Sequence, residues 1–341
     1  MQALIYVSPG KLEWQERQSL AVASDLEAIV RPIASTTCDL DRRILAGATP
    51  FEPPFAIGHE AVGEVLTIGD RVRNVRPGDI VVIPWHINCG VCPSCRSGMT
   101  AHCSAYPGLT GYGVSVGGDW GGLFSEEVRV PFADAMLHRL PEGVDPVTVA
   151  SASDNLTDAY IGATTALARH PGAPVLVMSG IESLGLFAAE HALAAGAARV
   201  EFVDANGRRR EAARKLGARA HAALPESFTR GFPILIGATR DAAALRDAIL
   251  CLAPGGHLSN LAILLKDPEI PYWDMYLRGV TLSFGLPNVG PQIPKVLELA
   301  RCGHIHPERV ITVHNAADAP AALLEPDIKP VLVRESLQAK W

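Results

Sequence analysis

The sequence has little charge and few aromatic residues or cysteines for its length. Charged residues make up 19% and aromatic residues 6% of its 341 positions, there are 7 cysteines, and the formal net charge is −6. A slight acidic excess provides no basic footprint for nucleic acid or an anionic membrane. No apolar run is long enough for a membrane span, and the first residues show no basic region followed by an apolar core. We therefore expect a globular, cytoplasmic protein with no nucleic-acid or membrane partner, long enough for two domains.

Four of the cysteines lie within a single short stretch, at Cys89, Cys92, Cys95 and Cys103. Two-residue gaps let consecutive thiolates turn back onto one ion, and four thiolates complete a tetrahedral zinc shell with no open position. The spacing therefore predicts a structural zinc site. A pair of disulfides, or four unrelated thiols, is the alternative interpretation. A long chain that is otherwise poor in cysteine fits a metal site better than a disulfide scaffold.

This spacing resembles the structural-zinc lobe of the zinc-containing medium-chain dehydrogenase/reductase family, the zinc alcohol dehydrogenases. The resemblance extends from residue 1 to about residue 334, with the lobe at 85–105. It implies an α/β protein with an N-terminal GroES-like, β-rich catalytic domain and a Rossmann nucleotide domain. Short alternating segments at 2–7, 61–68, 79–84 and 125–130 are typical of the strands of such a β-rich domain.

The pattern changes from about residue 154. Apolar runs at 175–178, 199–204 and 233–237 are each followed by a helical pattern, which indicates a parallel, doubly wound sheet. A further strand is predicted at 278–285 and a helix at 294–302. In the family the tail rejoins the N-terminal domain. The resemblance thus implies a catalytic domain of 1–153 plus 288–341, with the nucleotide domain 154–287 inserted.

The resemblance also implies a catalytic zinc site. Cys38, His59 and Asp154 stand at the positions of the three protein ligands, and three ligands leave a fourth position open, as catalytic zinc requires. Glu60 is the adjacent carboxylate that can approach the metal when water leaves. Asp41 matches the carboxylate that holds the ligating histidine ring in the correct tautomer. By itself, the pair His59-Glu60 is also compatible with a solvated surface pair.

The sequence departs from the family pattern just after Cys38. Leu40 replaces the usual serine or threonine, whose hydroxyl passes the alcohol proton away from zinc, and Arg43 replaces a relay histidine. Either another group moves the proton or the reaction differs from simple alcohol oxidation. Leu40 could instead pack against substrate in an apolar pocket. The resemblance places Trp85 and Trp120 at the substrate pocket, with packing in the core as the alternative for each.

The cofactor turn is predicted between a strand and a helix that runs from Leu184 to residue 195. The family pattern Gly-x-Gly-x-x-Gly is altered here, because Glu182 replaces the middle glycine between Gly180 and Gly185. Gly180, Ser183, Leu184 and Gly185 are the predicted contacts to the cofactor. Two like charges about 4 Å apart cost on the order of 4 kcal/mol at a surface-like dielectric. Glu182 must therefore point away from the pyrophosphate, or dinucleotide binding is weakened.

An acidic residue, Asp204, ends the next predicted strand. This carboxylate is placed for the ribose hydroxyls of NAD and would repel a 2′-phosphate. Arg209 matches a basic family position at the same ribose. The run of arginines at 208–210 could instead favour NADP. We expect NAD as the preferred cofactor.

Together these features predict a zinc-dependent oxidoreductase that transfers a hydride between an alcohol or carbonyl substrate and NAD(H). The resemblance implies two zinc ions per chain, one catalytic and one structural, and a homodimer or homotetramer. One alternative is a reductase or dehydrogenase for a larger aldehyde, a polyol or a secondary metabolite. An alternative of another class is a zinc-stabilised binding protein that retains the fold without redox function.

Overall fold

The computed structural model describes residues 1–106 and 108–334. The chain divides into two units with their own internal contacts. The first comprises the described parts of Met1–Thr157, Pro287–Cys302 and Ile311–Trp341, and the second comprises Asp158–Leu286 and Gly303–Val310.

The described residues contain strands in both units. In chain order they are β1 (Gln2–Ser8), β2 (Lys11–Glu16), β3 (Ala28–Thr36), β4 (Phe55–Ala56), β5 (Glu60–Ile68), β6 (Ile80–Ile83), β7 (Val128–Val130), β8 (His138–Arg139), β9 (Val175–Ser179), β10 (Val200–Val203), β11 (Arg219–His221), β12 (Phe232–Ala238), β13 (Leu252–Asn260), β14 (Thr281–Ser283), β15 (Ile311–Asn315) and β16 (Lys329–Val333).

The described residues also contain α-helices in both units. They are α1 (Asp39–Leu45), α2 (Pro93–Arg96), α3 (Ala133–Met136), α4 (Asn155–Arg169), α5 (Leu184–Ala194), α6 (Gly207–Lys215), α7 (Ala242–Leu250), α8 (Tyr272–Arg278), α9 (Ile293–Arg301) and α10 (Ala319–Ala322). Single 3₁₀ turns span Thr100–His102, Ala150–Ser153, Pro307–Arg309 and Ala316–Asp318.

The first unit is built on two sheets. One has the order β2-β1-β4, and the larger one has the order β15-β16-β3-β5-β6-β8, with β7 also paired to β3. Strands β3 and β6 are buried along most of their length, and β5 is buried over its first four residues. Apolar side chains of these strands, among them Val65 and Ile83, form one core cluster together with Tyr112. A second core cluster includes Leu4, Ile44 and Leu332.

The register of three strands in this sheet brings distant parts of the sequence together. Thr36, at the end of β3, lies opposite Glu60 at the start of β5 and opposite Val331 of β16. The Thr36 hydroxyl donates to the carbonyl of Pro330 over 2.6 Å. The chain entering β5, the chain leaving β3 and the start of β16 therefore meet at one end of the sheet.

The second unit contains a parallel sheet of six strands in the order β11-β10-β9-β12-β13-β14. The buried run of β9 continues into α5, and Gly196 lies just past the helix end with φ +88°. A left-handed conformation at this position favours glycine and ends the helix. Strands alternating with helices form a doubly wound unit, and the predicted fold class is confirmed.

One predicted strand is wrong in extent. The prediction placed a strand at 278–285, whereas α8 continues through Arg278 and β14 contains only Thr281–Ser283. Gly279 ends the helix in a left-handed conformation at φ +63°. The apolar and aromatic residues of this segment support both a short helix and a strand, so their pattern alone did not place the boundary.

Candidate active site

Cys38, His59 and Asp154 form a buried group in the first unit. One potential ligand atom from each lies within 4.8 Å of the other two. His59 Nε2 is 3.5 Å from Asp154 Oδ2. Two nitrogen or oxygen ligands of tetrahedral zinc, each bound at about 2.1 Å, are about 3.4 Å apart. The donor set and its spacing therefore fit a zinc ion held by one sulfur, one nitrogen and one oxygen.

The end of β3 and the start of α1 hold Cys38 in place. Cys38 is the N-cap of α1, and its sulfur accepts the Leu40 backbone N–H at 3.4 Å. The Asp41 carboxylate closes a capping box by accepting the Cys38 backbone N–H at 2.8 Å. The other carboxylate oxygen of Asp41 is 3.6 Å from His59 Nδ1. Asp41 thus binds the backbone of one ligand residue and faces the ring of another. Neither Asp41 Oδ1 nor His59 Nδ1 has a hydrogen-bond partner among the described residues, so the orienting role of Asp41 stays a prediction.

Negative groups surround the three ligand residues. Burial, followed by the Asp154 and Glu60 carboxylates, raises the pKa of the Cys38 thiol well above its usual range. Burial lowers the pKa of His59, but the carboxylates of Asp41 and Asp154 outweigh it and raise the pKa to about 9. These shifts describe a buried site with an excess of anionic groups. A divalent cation would balance this charge, which is a second respect in which the residues fit a metal.

The structure does not bring Glu60 into this group of three. Its side chain is fully buried and forms an ion pair with Lys329, which is equally buried. Lys329 Nζ also donates to the Thr37 carbonyl. Glu60 Oε1 accepts the Ser151 hydroxyl at 3.0 Å and the Asn155 backbone N–H at 2.7 Å. With both oxygens occupied by donors, Glu60 is held as the partner of a lysine, and its approach to the metal stays a prediction.

Lys329, Ser151 and Asn155 are the residues here that sequence reasoning missed. The Asn155 side chain accepts the Cys38 thiol at 3.3 Å while its backbone binds Glu60, so it joins the ion pair to a ligand residue. One signal for Lys329 was available. It is a lysine inside the apolar strand β16, and a fully buried lysine almost always has a partner. The amino-acid sequence alone does not indicate which residue is the partner of Lys329.

The three residues predicted to line the substrate pocket lie in different environments. Leu40 packs against the core cluster around Leu4 and Ile44, and Trp85 is buried with its Nε1 donating to the Pro287 carbonyl at 3.2 Å. The Trp120 ring packs edge-on against Tyr106, with 5.5 Å between ring centroids. Trp120 also lines a cavity of about 530 Å³ whose described lining includes none of the three ligand residues. The structure therefore does not join Trp120 to the metal group.

The four cysteines of the lobe converge. Cys103 Sγ lies 3.6 Å from Cys89 Sγ and 3.9 Å from Cys92 Sγ, close to the roughly 3.8 Å expected between two thiolates on one zinc ion. All seven cysteines lie in the described residues and none forms a disulfide. Hydrogen bonds from the Ser104 side chain and the Cys95 backbone lower the pKa of Cys92 to about 5. The arrangement fits a closed four-sulfur site and disfavours paired disulfides.

The turn between β9 and α5 occupies the second unit. A Cβ at Gly185 would lie 2.6 Å from the Ser179 hydroxyl, so only glycine allows this close packing of helix and strand. Ser183 is the N-cap of α5, and Leu184 is its first residue. The Glu182 carboxylate lies 3.8 Å from the Arg240 guanidinium, with both side chains about three-quarters buried. Arg240 therefore offsets the negative charge that replaces the middle glycine.

Asp204 follows β10 and is almost completely buried. Its two oxygens accept Nε and Nη2 of Arg209 at 2.7 and 2.9 Å, and the Asn206 backbone N–H binds the same carboxylate at 2.7 Å. Oδ1 accepts both the Arg209 Nη2–H and the Asn206 N–H, whereas Oδ2 accepts only the Arg209 Nε–H and keeps one lone pair. The Asp204 side chain has no exposed surface in this structure. The structure brings together the acidic and basic residues that were predicted to contact the adenosine ribose.

Comparisons with known proteins agree with this architecture. Residues 24–142 match the family model described as the alcohol dehydrogenase GroES-like domain. A medium chain reductase/dehydrogenase of Acremonium sp is 31% identical over 256 residues, which cover 73% of this chain and 83% of that protein. A probable zinc-binding alcohol dehydrogenase of Mycobacterium tuberculosis is 28% identical over 328 residues, 94% of this chain and 84% of that protein.

A solved structure is similar over nearly the whole chain. Alcohol dehydrogenase TADH from Thermus sp. ATN1 has a TM-score of 0.89 and 29% identity, covering 98% of this chain and 100% of that one. The fold and site therefore define an oxidoreductase of the alcohol dehydrogenase class. The chain belongs to the zinc-containing medium-chain dehydrogenase/reductase family, and the predicted zinc-dependent oxidoreductase is confirmed at that level. Within the described residues, no helix combines the length and the apolar character that a membrane span requires.

Proposed function

We propose that this protein transfers a hydride between a small alcohol or carbonyl substrate and NAD(H), with the substrate oxygen at a zinc ion held by Cys38, His59 and Asp154. The observation that carries the proposal is the buried position of these three side chains, at the separations that zinc ligands require. A second zinc ion, held by the four cysteines of the lobe, is structural. Each chain thus holds two zinc ions.

The residues of the site have separable tasks. Zinc, when bound, supplies a Lewis acid that polarises a substrate oxygen and lowers the pKa of a hydroxyl. Asp41 orients the His59 ring. The ion pair with Lys329 fixes the buried carboxylate of Glu60, which is linked to Cys38 through hydrogen bonds to Asn155. Leu40 has no hydroxyl to carry a proton. The proton must therefore leave by a route other than the one that a hydroxyl at this position provides.

The preference for NAD over NADP is proposed to reside in Asp204. Its buried carboxylate accepts ribose hydroxyls and repels a 2′-phosphate. Arg209 supports the same preference, because its guanidinium is already bound in a bidentate pair with Asp204. A guanidinium in such a pair has fewer donors left for a phosphate.

The test of the proposed function is an NADH titration of the zinc-loaded protein, followed by assays of hydride transfer. We expect saturable NADH binding and NAD reduction with at least one alcohol in a series of increasing size that includes polyols. The His59→Ala variant is the matched control, since it removes a ligand and should abolish turnover while leaving the cofactor residues of the second unit unchanged. Absence of NADH binding in the zinc-loaded protein would favour the alternative of a non-redox binding protein.

Homodimer formation is proposed through the second unit. Tyr272, Trp273, Tyr276, Leu277 and Phe284 form an apolar surface on α8 and beside β14, and each is 64–75% exposed. Strand β14 is an edge of the six-stranded sheet, where backbone groups can pair with a second copy of the chain. Light scattering should show a dimer that Phe284→Asp disrupts and that Leu324→Asp, an exposed change in the first unit, leaves intact. A monomeric wild-type protein would refute this proposal.

A further inference from the structure

The side chain of Asn155 contacts the sulfur of a metal-ligand residue. Its Oδ1 lies 3.3 Å from Cys38 Sγ and accepts the hydrogen of the thiol. Both residues are buried, with Asn155 3% and Cys38 8% exposed. Bulk water has little access to this contact, so hydrogen bonds that stabilise the sulfur must come mainly from protein groups.

The backbone of Asn155 is held independently of its side chain. Asn155 is the first residue of α4, and the first backbone N–H groups of a helix have no partner within the helix. Its N–H donates to Glu60 Oε1 at 2.7 Å, and the Glu60 carboxylate is itself held by Lys329. A substitution at position 155 leaves this backbone donor in place, so the contribution of the side chain can be measured separately.

Metal binding changes the hydrogen bond that the Cys38 sulfur requires. A cysteine binds zinc as the thiolate, which has no hydrogen to donate and accepts hydrogen bonds instead. The Leu40 backbone N–H already donates to this sulfur over 3.4 Å. An amide oxygen that faces a thiolate is unfavourable, but the oxygen and nitrogen ends of a carboxamide have almost the same shape. A half-turn about the last side-chain bond of Asn155 therefore places Nδ2 where Oδ1 lies in the thiol form.

We propose that Asn155 is a positioning residue for the catalytic metal site, and that its side-chain N–H donates to the zinc-bound thiolate of Cys38. This inference rests on the proposed function, because it requires a metal ion at Cys38, His59 and Asp154. The hydrogen bond stabilises the buried anion and withdraws electron density from the sulfur. More positive charge then remains available to polarise the substrate oxygen.

Cobalt(II) in place of zinc makes this contact measurable, because a thiolate bound to cobalt gives a sulfur-to-metal charge-transfer band. The spectrum of cobalt-loaded His59→Ala, which lacks one catalytic-site ligand, is subtracted to remove the absorption of the cysteine lobe. Loss of the N–H donor raises the energy of the sulfur electrons, so the remaining band should move to lower energy in Asn155→Leu. Asn155→Ala also removes the donor and should show a shift in the same direction, which provides the answer if Asn155→Leu does not fold.

Ser151→Ala is the matched control. Ser151 is buried and its hydroxyl donates to the same Glu60 oxygen as the Asn155 backbone, over 3.0 Å, so this variant disturbs Glu60 without changing the side chain at position 155. Its charge-transfer band should coincide with that of the wild type. Competition with a chelator should show that the catalytic site of Asn155→Leu binds cobalt about tenfold more weakly than that of the wild type.

The possible outcomes separate this inference from the proposed function. A band at the wild-type energy in both Asn155 variants overturns the inference and leaves the proposed function standing. An equal shift in Ser151→Ala also overturns it, because the effect would then arise through Glu60. If the wild-type spectrum shows no band beyond that of His59→Ala, Cys38 is not a ligand of a catalytic metal, and the proposed zinc site fails together with the inference.

Discussion

Replacement of Lys329 by methionine tests how much the buried ion pair between Lys329 and Glu60 contributes to stability. Methionine keeps most of the length and apolar volume of lysine and removes the charge. Glu60 then stays fully buried and loses Lys329 as its partner, while Oε1 keeps its hydrogen bonds from Ser151 and Asn155. We expect lower stability and a folded chain, because the strand that carries residue 329 stays apolar.

The magnitude follows from burial. Removing one partner of a buried ion pair typically costs about 3–5 kcal/mol of unfolding free energy. Two of the donors to Glu60 remain, so we expect a loss near the lower value, about 3 kcal/mol. Glu60→Gln removes the second charge and retains an oxygen for Ser151 and Asn155. The double variant Lys329→Met/Glu60→Gln should therefore recover most of the loss, since no buried charge is left without a partner.

The assay is urea unfolding of the zinc-loaded protein followed by tryptophan fluorescence, with all variants at one protein and zinc concentration. The chain offers a matched control in the pair of Lys11 and Glu13. These residues form a 2.7 Å ion pair, but their side chains are 57% and 43% exposed. Lys11→Met should leave the urea midpoint unchanged, because solvent screens an exposed pair. Equal effects of Lys329→Met and Lys11→Met, or a double variant no more stable than Lys329→Met, would refute the reasoning.

Three further predictions concern the other sites. Cys92→Ser breaks the four-sulfur shell, so it should release one zinc per chain and cause aggregation, and a soluble variant with unchanged zinc content would contradict this. Asp204→Ala removes a hydrogen-bond acceptor for the ribose and releases the Arg209 guanidinium from its ion pair. The ratio of kcat/KM for NAD to kcat/KM for NADP should therefore fall by at least about tenfold. An unchanged ratio would mean that Asp204 does not contact the ribose. Arg240→Leu removes the positive charge that offsets Glu182 and should weaken NADH binding. Adding Glu182→Gly to that variant should restore the affinity for NADH. Equal NADH affinity in wild type and Arg240→Leu would argue against this compensation.

The fold and the lobe were accessible from sequence because their signals are local. The four cysteines lie close enough along the chain for their spacing alone to indicate one metal ion. The alternation of apolar runs with helical patterns likewise predicts the parallel sheet, and the helix predicted from Leu184 to residue 195 corresponds to α5. The boundary at Arg278 was missed because a short aromatic segment supports helix and strand equally.

Contacts between distant residues were not accessible in this way. Lys329 and Glu60 are 269 positions apart, and only the pairing of β16, β3 and β5 brings them together. The charge of Glu182 was visible in the sequence, whereas its proximity to Arg240 depends on the tertiary fold. The placement of Trp120 near Tyr106 depends in the same way on the fold of a glycine-rich loop. Residue type alone does not specify such partners.

The central claim, that Asp154 completes a catalytic zinc site with Cys38 and His59, is tested most directly by measuring zinc content and turnover together in Asp154→Asn. Asparagine keeps the size of aspartate and removes the anion, which leaves the site with a poorer ligand and uncompensated positive charge. We predict a folded protein that retains the lobe zinc, has lost or much weakened catalytic zinc and shows almost no activity, with Asp154→Cys recovering part of the metal binding. Two zinc ions per chain and near-normal turnover in Asp154→Asn would contradict the account.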